Sequence, residues 1–265
     1  MSGQDIHLLN HHAMATWLQI RIADVDEEYA EQAAQAAFAL SDELESMLSR
    51  FRENSEISRI SHLAPGEKVR IGEPVFACLQ IAARMEAATL GAFSISAAAL
   101  ATQTSMPRWS LIPGEFAIRC DSGRLEFDLG AVGKGFTLDR MAEVLIEWET
   151  PAFLMVAGGS SVLAGEPPMG TEGWSCGMGT DEFQSRKFIS KCSVSGSGQE
   201  VKGLHIIDPR TGKPVPKKPN VWASAPTAAE SDALSTACMI LEPDEIADLL
   251  SKNEQWKCYP LHEWI

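Results

Sequence analysis

Basic residues are scarce in this sequence. Lys and Arg total 22 against 36 Asp and Glu, a net charge of −14, and no extended basic run occurs. Affinity for a phosphate backbone comes from Lys and Arg, so the balance argues against nucleic acid or an anionic membrane as the main partner. A phosphate-bearing ligand would need local help here from a metal ion or a helix N-terminus. No stretch of 18 apolar residues is present, and the opening MSGQDIHLLNHHAMATW has neither a basic start nor a continuous apolar core. The expectation is a cytoplasmic chain without membrane insertion. The six cysteines, at 78, 120, 176, 192, 238 and 258, form no C-x-x-C pair and no Cys/His cluster of zinc spacing. Buried free thiols in a reducing compartment follow. There is no G-x-S-x-G and no recognisable Ser/His/Asp or Cys/His arrangement. No internal repeat, low-complexity tract or linker divides the chain, so residues 1–265 read as one domain.

What is present suffices for a sizeable core, with 45% of 265 residues hydrophobic. Met14 to Ile22 alternates as a half-buried strand. An Ala-rich helix is expected over 26–50, Ser55 suits an N-cap, and Glu73-Pro74 opens a helix that ends near Gly91. Residues 92–104 carry no assignable period. Phe116–Cys120 and Arg124–Leu129 read as paired strands across a turn at Asp121-Ser-Gly123. The Gly-rich run 130–135 leads into a helix over 136–148, and Phe153–Val156 is a buried strand. Strands then dominate to about 225. Helices and strands mix without βαβ alternation, which makes the class α+β.

Two segments carry candidate chemistry. G-A-V-G-K-G at 130–135 is neither G-x-G-x-x-G nor a Walker A loop, since Gly135 stands where Ser or Thr must follow Lys134. It fits either a tight strand-to-helix turn or an anion cradle at a helix start. Residues 205–237 begin as a strand, His205 to Asp208, break at Pro209 and turn through Gly212. After Pro226, the T-x-x-E spacing of Thr227 and Glu230 predicts a capped helix. On it Asp232, Ser235 and Thr236 share one face, opposite Leu234, Ala237, Cys238 and Leu241. A carboxylate and two hydroxyls one turn apart suit a hard cation such as Mg²⁺. The same spacing fits the polar outer face of an ordinary amphipathic helix, which spacing alone favours.

Several stretches resemble the FAD:protein FMN transferases, the ApbE family. The most specific are DLGAVGKGFTLDRMAEVL (128–145), HIIDPRTGKPV (205–215) and APTAAESDALSTA (225–237). Weaker likenesses are AMAT (13–16), SRFRENSEISRIS (49–61), GAF (91–93), VAGG (156–159) and VSG (194–196). The resemblance implies an α+β fold in two fused halves around a flavin cleft, with T-fold-like character. It implies metal-dependent transfer of FMN from FAD to a Thr or Ser hydroxyl of an acceptor protein, with release of AMP and Mg²⁺ as the usual metal.

Residue by residue, the resemblance makes Asp232 and Thr236 side-chain metal ligands, with Ser235 at a third position and the main-chain carbonyl of Ala131 as a further ligand. Met14, Phe51, Ala92, Phe93, Ser94, Asp128, Lys134 and Ile207 fall at positions that border or contact FAD. Asp232 or His205 would be the general base. Ser94, Ser160 and Ser197 stand where the family commonly has Asp. That departure keeps two further readings open: a non-catalytic FAD-binding protein, and an FAD pyrophosphatase yielding FMN and AMP.

Overall fold

The computed structural model describes residues 5–180, 183–198, 206–216 and 219–260. It opens with a hairpin, β1 (Ile6–Ala13) and β2 (Thr16–Ala23), and then α1 (Glu27–Leu48), α2 (Glu56–Ile60), β3 (Lys68–Arg70) and α3 (Glu73–Ala88) follow. Next come β4 (Arg108–Ile112), β5 (Ala117–Ser122), α4 (Gly133–Glu147), β6 (Phe153–Ala157), β7 (Ser161–Ala164), β8 (Trp174–Thr180), β9 (Phe183–Ile189) and β10 (Cys192–Ser197). The chain closes with β11 (Ile207–Asp208), β12 (Lys213–Pro214), β13 (Val221–Ala225), α5 (Ala228–Ile240), α6 (Pro243–Ser251) and β14 (Lys257–Pro260). The α+β class is as expected.

An antiparallel sheet in the order β1-β2-β6-β7-β10-β13-β14 forms the main layer. Ile20, Ile22, Phe153 and Met155 on one face pack against Ala30, Ala34 and Ala37 of α1 and Leu138, Met141 and Leu145 of α4. The Ala stripe lets α1 lie close to the strands. The other face is covered by the β8-β9 hairpin, whose Trp174, Cys176 and Ile189 meet Leu154, Val162, Val194 and Trp222. A second core gathers α2, α3, the three-stranded sheet β3-β5-β4 and the apolar residues of α5. Helix α5 thereby touches both cores and is buried at Ala228, Ala233, Leu234, Ala237 and Met239. No helix among the described residues is long and apolar enough to cross a membrane.

Helix starts match their signals. Asp26 caps α1 by accepting from the Tyr29 N–H, and Ser55 caps α2 by accepting from the Ser58 N–H. Four local expectations differ. Met14 is not in a strand: Met14 and Ala15, both at φ 55°, form the two-residue turn between β1 and β2. Strand β1 escaped notice because its inward side includes His7 and His11, which break apolar alternation. His7 bonds the Val25 carbonyl at 2.8 Å, and His11 stacks on Phe38 and bonds Asp42.

Residues 124–129 do not pair with β5, whose edges are already taken by β3 and β4. Instead the Gln103 amide bonds both the N–H and the carbonyl of Arg124, and the Asp128 N–H donates to the Ile95 carbonyl. Leu125 and Phe127 are buried from that extended coil. Helix α4 begins inside the Gly-rich run, at Gly133 rather than Phe136. Finally, α5 has no solvent-facing polar side at Asp232 and Ser235, both of which are buried.

Candidate active site

The Gly-rich turn and α5 meet at the N-terminal ends of two helices. The Gly135 N–H donates to Asp232 Oδ2 at 2.8 Å, and Ser161 Oγ of β7 donates to Asp232 Oδ1 at 2.6 Å. In the other direction, Asp139 of α4 accepts from the N–H groups of Ala228 and Ala229, at 2.7 and 2.9 Å. Thr227 takes the Glu230 N–H through its hydroxyl, at 3.3 Å. The Glu230 carboxylate does not close a capping box; it pairs with Arg84 at 2.7 Å. The amides of the first turn of α5 are therefore spent on protein groups, and this helix start offers no cradle for a phosphate.

Asp232 is only 4% exposed, so its two bonds offset a desolvation cost that an unpaired carboxylate would carry in full. Each of its oxygens keeps a further lone pair. Burial, first, with Asp232 and Glu230 nearby, pushes the Asp139 carboxyl up to about 7, against the two amides that pull it down.

Strand β10 lines the same face of α5 with hydroxyls. Ser193 and Ser195 each share a 2.7 Å bond with Ser231. Ser197 lies 2.8 Å from Ser235 Oγ and 3.2 Å from Thr236 Oγ1. Ser235 also donates to the Asp232 carbonyl. In α4 the first helical ladder bond runs from the Phe136 N–H to the Val132 carbonyl, which leaves the Ala131 carbonyl ahead of the ladder. Carboxylate, hydroxyl and carbonyl oxygens are the donors a small hard cation takes. No group of three or more His, Cys, Asp and Glu gathers among the described residues.

Three other predicted residues, Met14, Asp128 and Lys134, lie at the Gly-rich turn. The Met14 methyl would lie 4.0 Å from a Cβ placed on Gly133. Asp128 Oδ1 accepts from the Gly130 N–H, its other oxygen pairs with Arg50 at 3.3 Å, and Lys134 Nζ donates to the Gly130 carbonyl. Phe51 is 80% exposed, with the Arg50 guanidinium 4.8 Å from its ring centroid. Ala92 and Phe93 are fully buried and pack into the second core. Ser94 Oγ donates to Glu86 at 2.8 Å, and burial raises the Glu86 carboxyl despite that bond.

Ile207 pairs with Pro214 in the short hairpin β11-β12. Arg210 braces that hairpin by bonding Asp208 and Glu245 of α6. A Cβ on Gly91 would come 3.7 Å from the Arg210 side chain, which sets the hairpin beside the 91–94 segment. His205 lies outside the described residues. Ser160 closes the β6-β7 turn, where its carbonyl accepts from the Gly196 N–H. Asp139, Ser161 and Glu86 escaped the sequence reading. Asp139 follows Gly135 by four residues as Asp232 follows Ala228, but nothing in one chain's spacing says that these two pairs face each other.

A family model described as the ApbE family matches residues 14–259, from the Met14 turn into β14. This chain belongs to the ApbE family. The FAD:protein FMN transferase of Klebsiella pneumoniae (strain 342) is 24% identical over 288 residues, covering 93% of this chain and 81% of that protein. The one from Escherichia coli (strain K12) is 26% identical over 145 residues, 49% of this chain and 40% of that protein. The fold is that of solved ApbE structures. The flavin transferase ApbE from Vibrio cholerae superimposes with a TM-score of 0.80 over 98% of both chains, at 18% identity. The apbe protein from Thermotoga maritima gives 0.81 over 96% of this chain and 93% of that one, at 20% identity.

Proposed function

We propose that this ApbE-family chain transfers FMN from FAD to a Thr or Ser hydroxyl of an acceptor protein, in a metal-dependent reaction that releases AMP. The observation that carries this reading is the buried Asp232 carboxylate, gripped by the Gly135 amide with the Ser235 and Thr236 hydroxyls one turn along. Membership of the family and the names of the relatives support the reaction class. Oxygen-only donors fit Mg²⁺, and Asp232, Thr236, Ser235 and the Ala131 carbonyl would hold it. A bound Mg²⁺ would offset the pyrophosphate charge and stabilise charge developing on the phosphoryl oxygens.

The chain's own residues then have mainly to position the substrate, since phosphoryl transfer asks little else of a protein. Met14, the exposed Phe51 face, Ser94, Asp128, Lys134 and Ile207 would border the flavin side, with the buried Ala92 and Phe93 supporting it from the core. The Gly-rich turn meets Asp232 through the Gly135 amide, and Lys134 and the Ala131 carbonyl of the same turn would serve the substrate and the metal. Asp232 or His205 would take the proton of the incoming hydroxyl.

A charge-poor site favours a second reading. Ser197 offers hydroxyl bonds to Ser235 and Thr236 rather than a second carboxylate. Such a site would bind FAD without turnover, or let water replace the acceptor and yield FMN and AMP. Incubating the protein with FAD and MgCl₂, with and without cell protein as acceptor, separates these. Transferase activity gives AMP together with a flavin-fluorescent protein band. A pyrophosphatase gives AMP and free FMN without acceptor, and a binding protein gives neither while quenching FAD fluorescence. Asp232→Ala should lose AMP release; undiminished release would remove Asp232 from the reaction.

A further inference from the structure

Helices α4 and α5 hold each other by one device used twice. On α4 an amide at Gly135 and a carboxylate four residues on, Asp139, point at α5. On α5 amides at Ala228 and Ala229 and a carboxylate at Asp232 point back. Each carboxylate thus satisfies helix-start amides that its own helix cannot satisfy. The backbones touch at the crossing, where a Cβ on Gly135 would stand 2.1 Å from the Ala228 carbonyl oxygen. Such a contact leaves no room for a side chain at position 135. Among the described residues, Asp139 makes no hydrogen bond outside this crossing that would give it a separate task.

We propose that Asp139 is a positioning residue for the reaction: it fixes the start of α5 so that Asp232 keeps its carboxylate against the Gly-rich turn. The two halves of the clamp are coupled, because Asp232 can reach the Gly135 amide only while Ala228 and Ala229 stay docked on Asp139. The part of this inference that concerns turnover rests on the transferase reading above; the coupling of the two helices does not. Burial of Asp139 and its raised carboxyl fit the same picture, since the fold keeps this acid at the crossing at the expense of its ionisation.

The test is the isosteric variant Asp139→Asn, read in two ways on the full chain. Amide hydrogen exchange is followed at Gly135, which bonds Asp232 and not Asp139. Coupling predicts exchange at Gly135 about tenfold or more faster in the variant, as expected when an outer partner of a site residue is lost. A purely local role would speed only Ala228 and Ala229, and unchanged Gly135 exchange would overturn the proposal. In parallel, AMP release from FAD is measured. The proposal expects kcat to fall about 10- to 100-fold with the KM for FAD within about twofold, and Asp139→Glu to recover part of the loss. An unchanged kcat would also overturn it. A wild-type protein that releases no AMP would count against the transferase reading alone, and Gly135 exchange would still decide the clamp.

Discussion

Gly135 and Ala228 meet backbone to backbone, and there is no space between them for even one methyl group. A Cβ at Gly135 would fall 2.1 Å from the Ala228 carbonyl oxygen and 2.6 Å from the Ala229 nitrogen. Neither atom is the end of a flexible side chain, so Gly135→Ala must part the helices. The expected cost is about 1–3 kcal/mol, the range for overpacking a tight interior, less the small helical preference for Ala. The same separation should lengthen the bond from Gly135 to Asp232 and lower AMP release. Gly114→Ala is the control, since a Cβ there meets nothing within 4 Å. Thermal melts of the two variants check this, and equal melting temperatures would contradict the close approach.

The Asp139 carboxyl gives stability a pH dependence. Its ordinary value is 3.8, and burial lifts it to about 7 in the folded chain. Between those values the folded state binds the extra proton, so stability from this group is fully present below about pH 4 and is lost as pH rises through about 7. Asp139→Asn cannot ionise and escapes that loss, while sacrificing one of two amide bonds at every pH. Relative to wild type, the variant should therefore gain melting temperature from about pH 4 to about pH 7 and level off above that. The comparison belongs in EDTA, so that no cation near Asp232 intervenes. A difference that stays constant over the range would show that Asp139 titrates normally.

The same helix shows which parts of the molecule its sequence could reveal. Thr227 as cap, and Asp232, Ser235 and Thr236 on one face, follow from spacing within a single helix, and the structure has both. Spacing does not reveal what lies opposite. The amphipathic alternative assumed that polar residues face water, whereas β10 supplies Ser193, Ser195 and Ser197 from about 38 residues away, as partners for that face. Residues 124–129 show the same limit. They read as a strand paired across the Asp121-Ser-Gly123 turn, but the partner of the Arg124 backbone is the Gln103 side chain. The Gly-rich run announced a close approach, and only the fold shows that the approaching group is another helix.

Ser94 can be tested through its neighbour. It donates to Glu86, whose carboxyl is already raised by burial. Ser94→Asp would replace that donor with a second carboxylate and leave two like charges sharing one half-buried place. Both carboxyls should then titrate higher in the folded chain than in the unfolded one, which makes stability fall as pH rises. The variant should lose about 1–3 kcal/mol at pH 8 and markedly less at pH 5. Adding Glu86→Ser to it should recover most of the loss. Denaturant melts of the single and double variants at both pH values measure this; a loss independent of pH would mean that the two side chains do not interact.

Ser197 offers the complementary experiment, at the end of β10 within 2.8 Å of Ser235 and 3.2 Å of Thr236. If those hydroxyls line a Mg²⁺ site whose sole carboxylate is Asp232, its affinity is limited by charge count. Ligand charge is one of the terms that sets divalent-cation affinity over orders of magnitude. Ser197→Asp adds a carboxylate beside the two hydroxyls without touching Asp232 or its anchors Gly135 and Ser161. The expected result is Mg²⁺ binding tightened by about tenfold or more. Calorimetric titration with MgCl₂ reads this directly, and AMP release should half-saturate at correspondingly lower Mg²⁺. The double variant Ser197→Asp/Asp232→Asn separates a true ligand pair from a general rise in negative charge. It should bind no more tightly than wild type if both carboxylates serve one ion, and nearly as tightly as Ser197→Asp if the new charge acts alone.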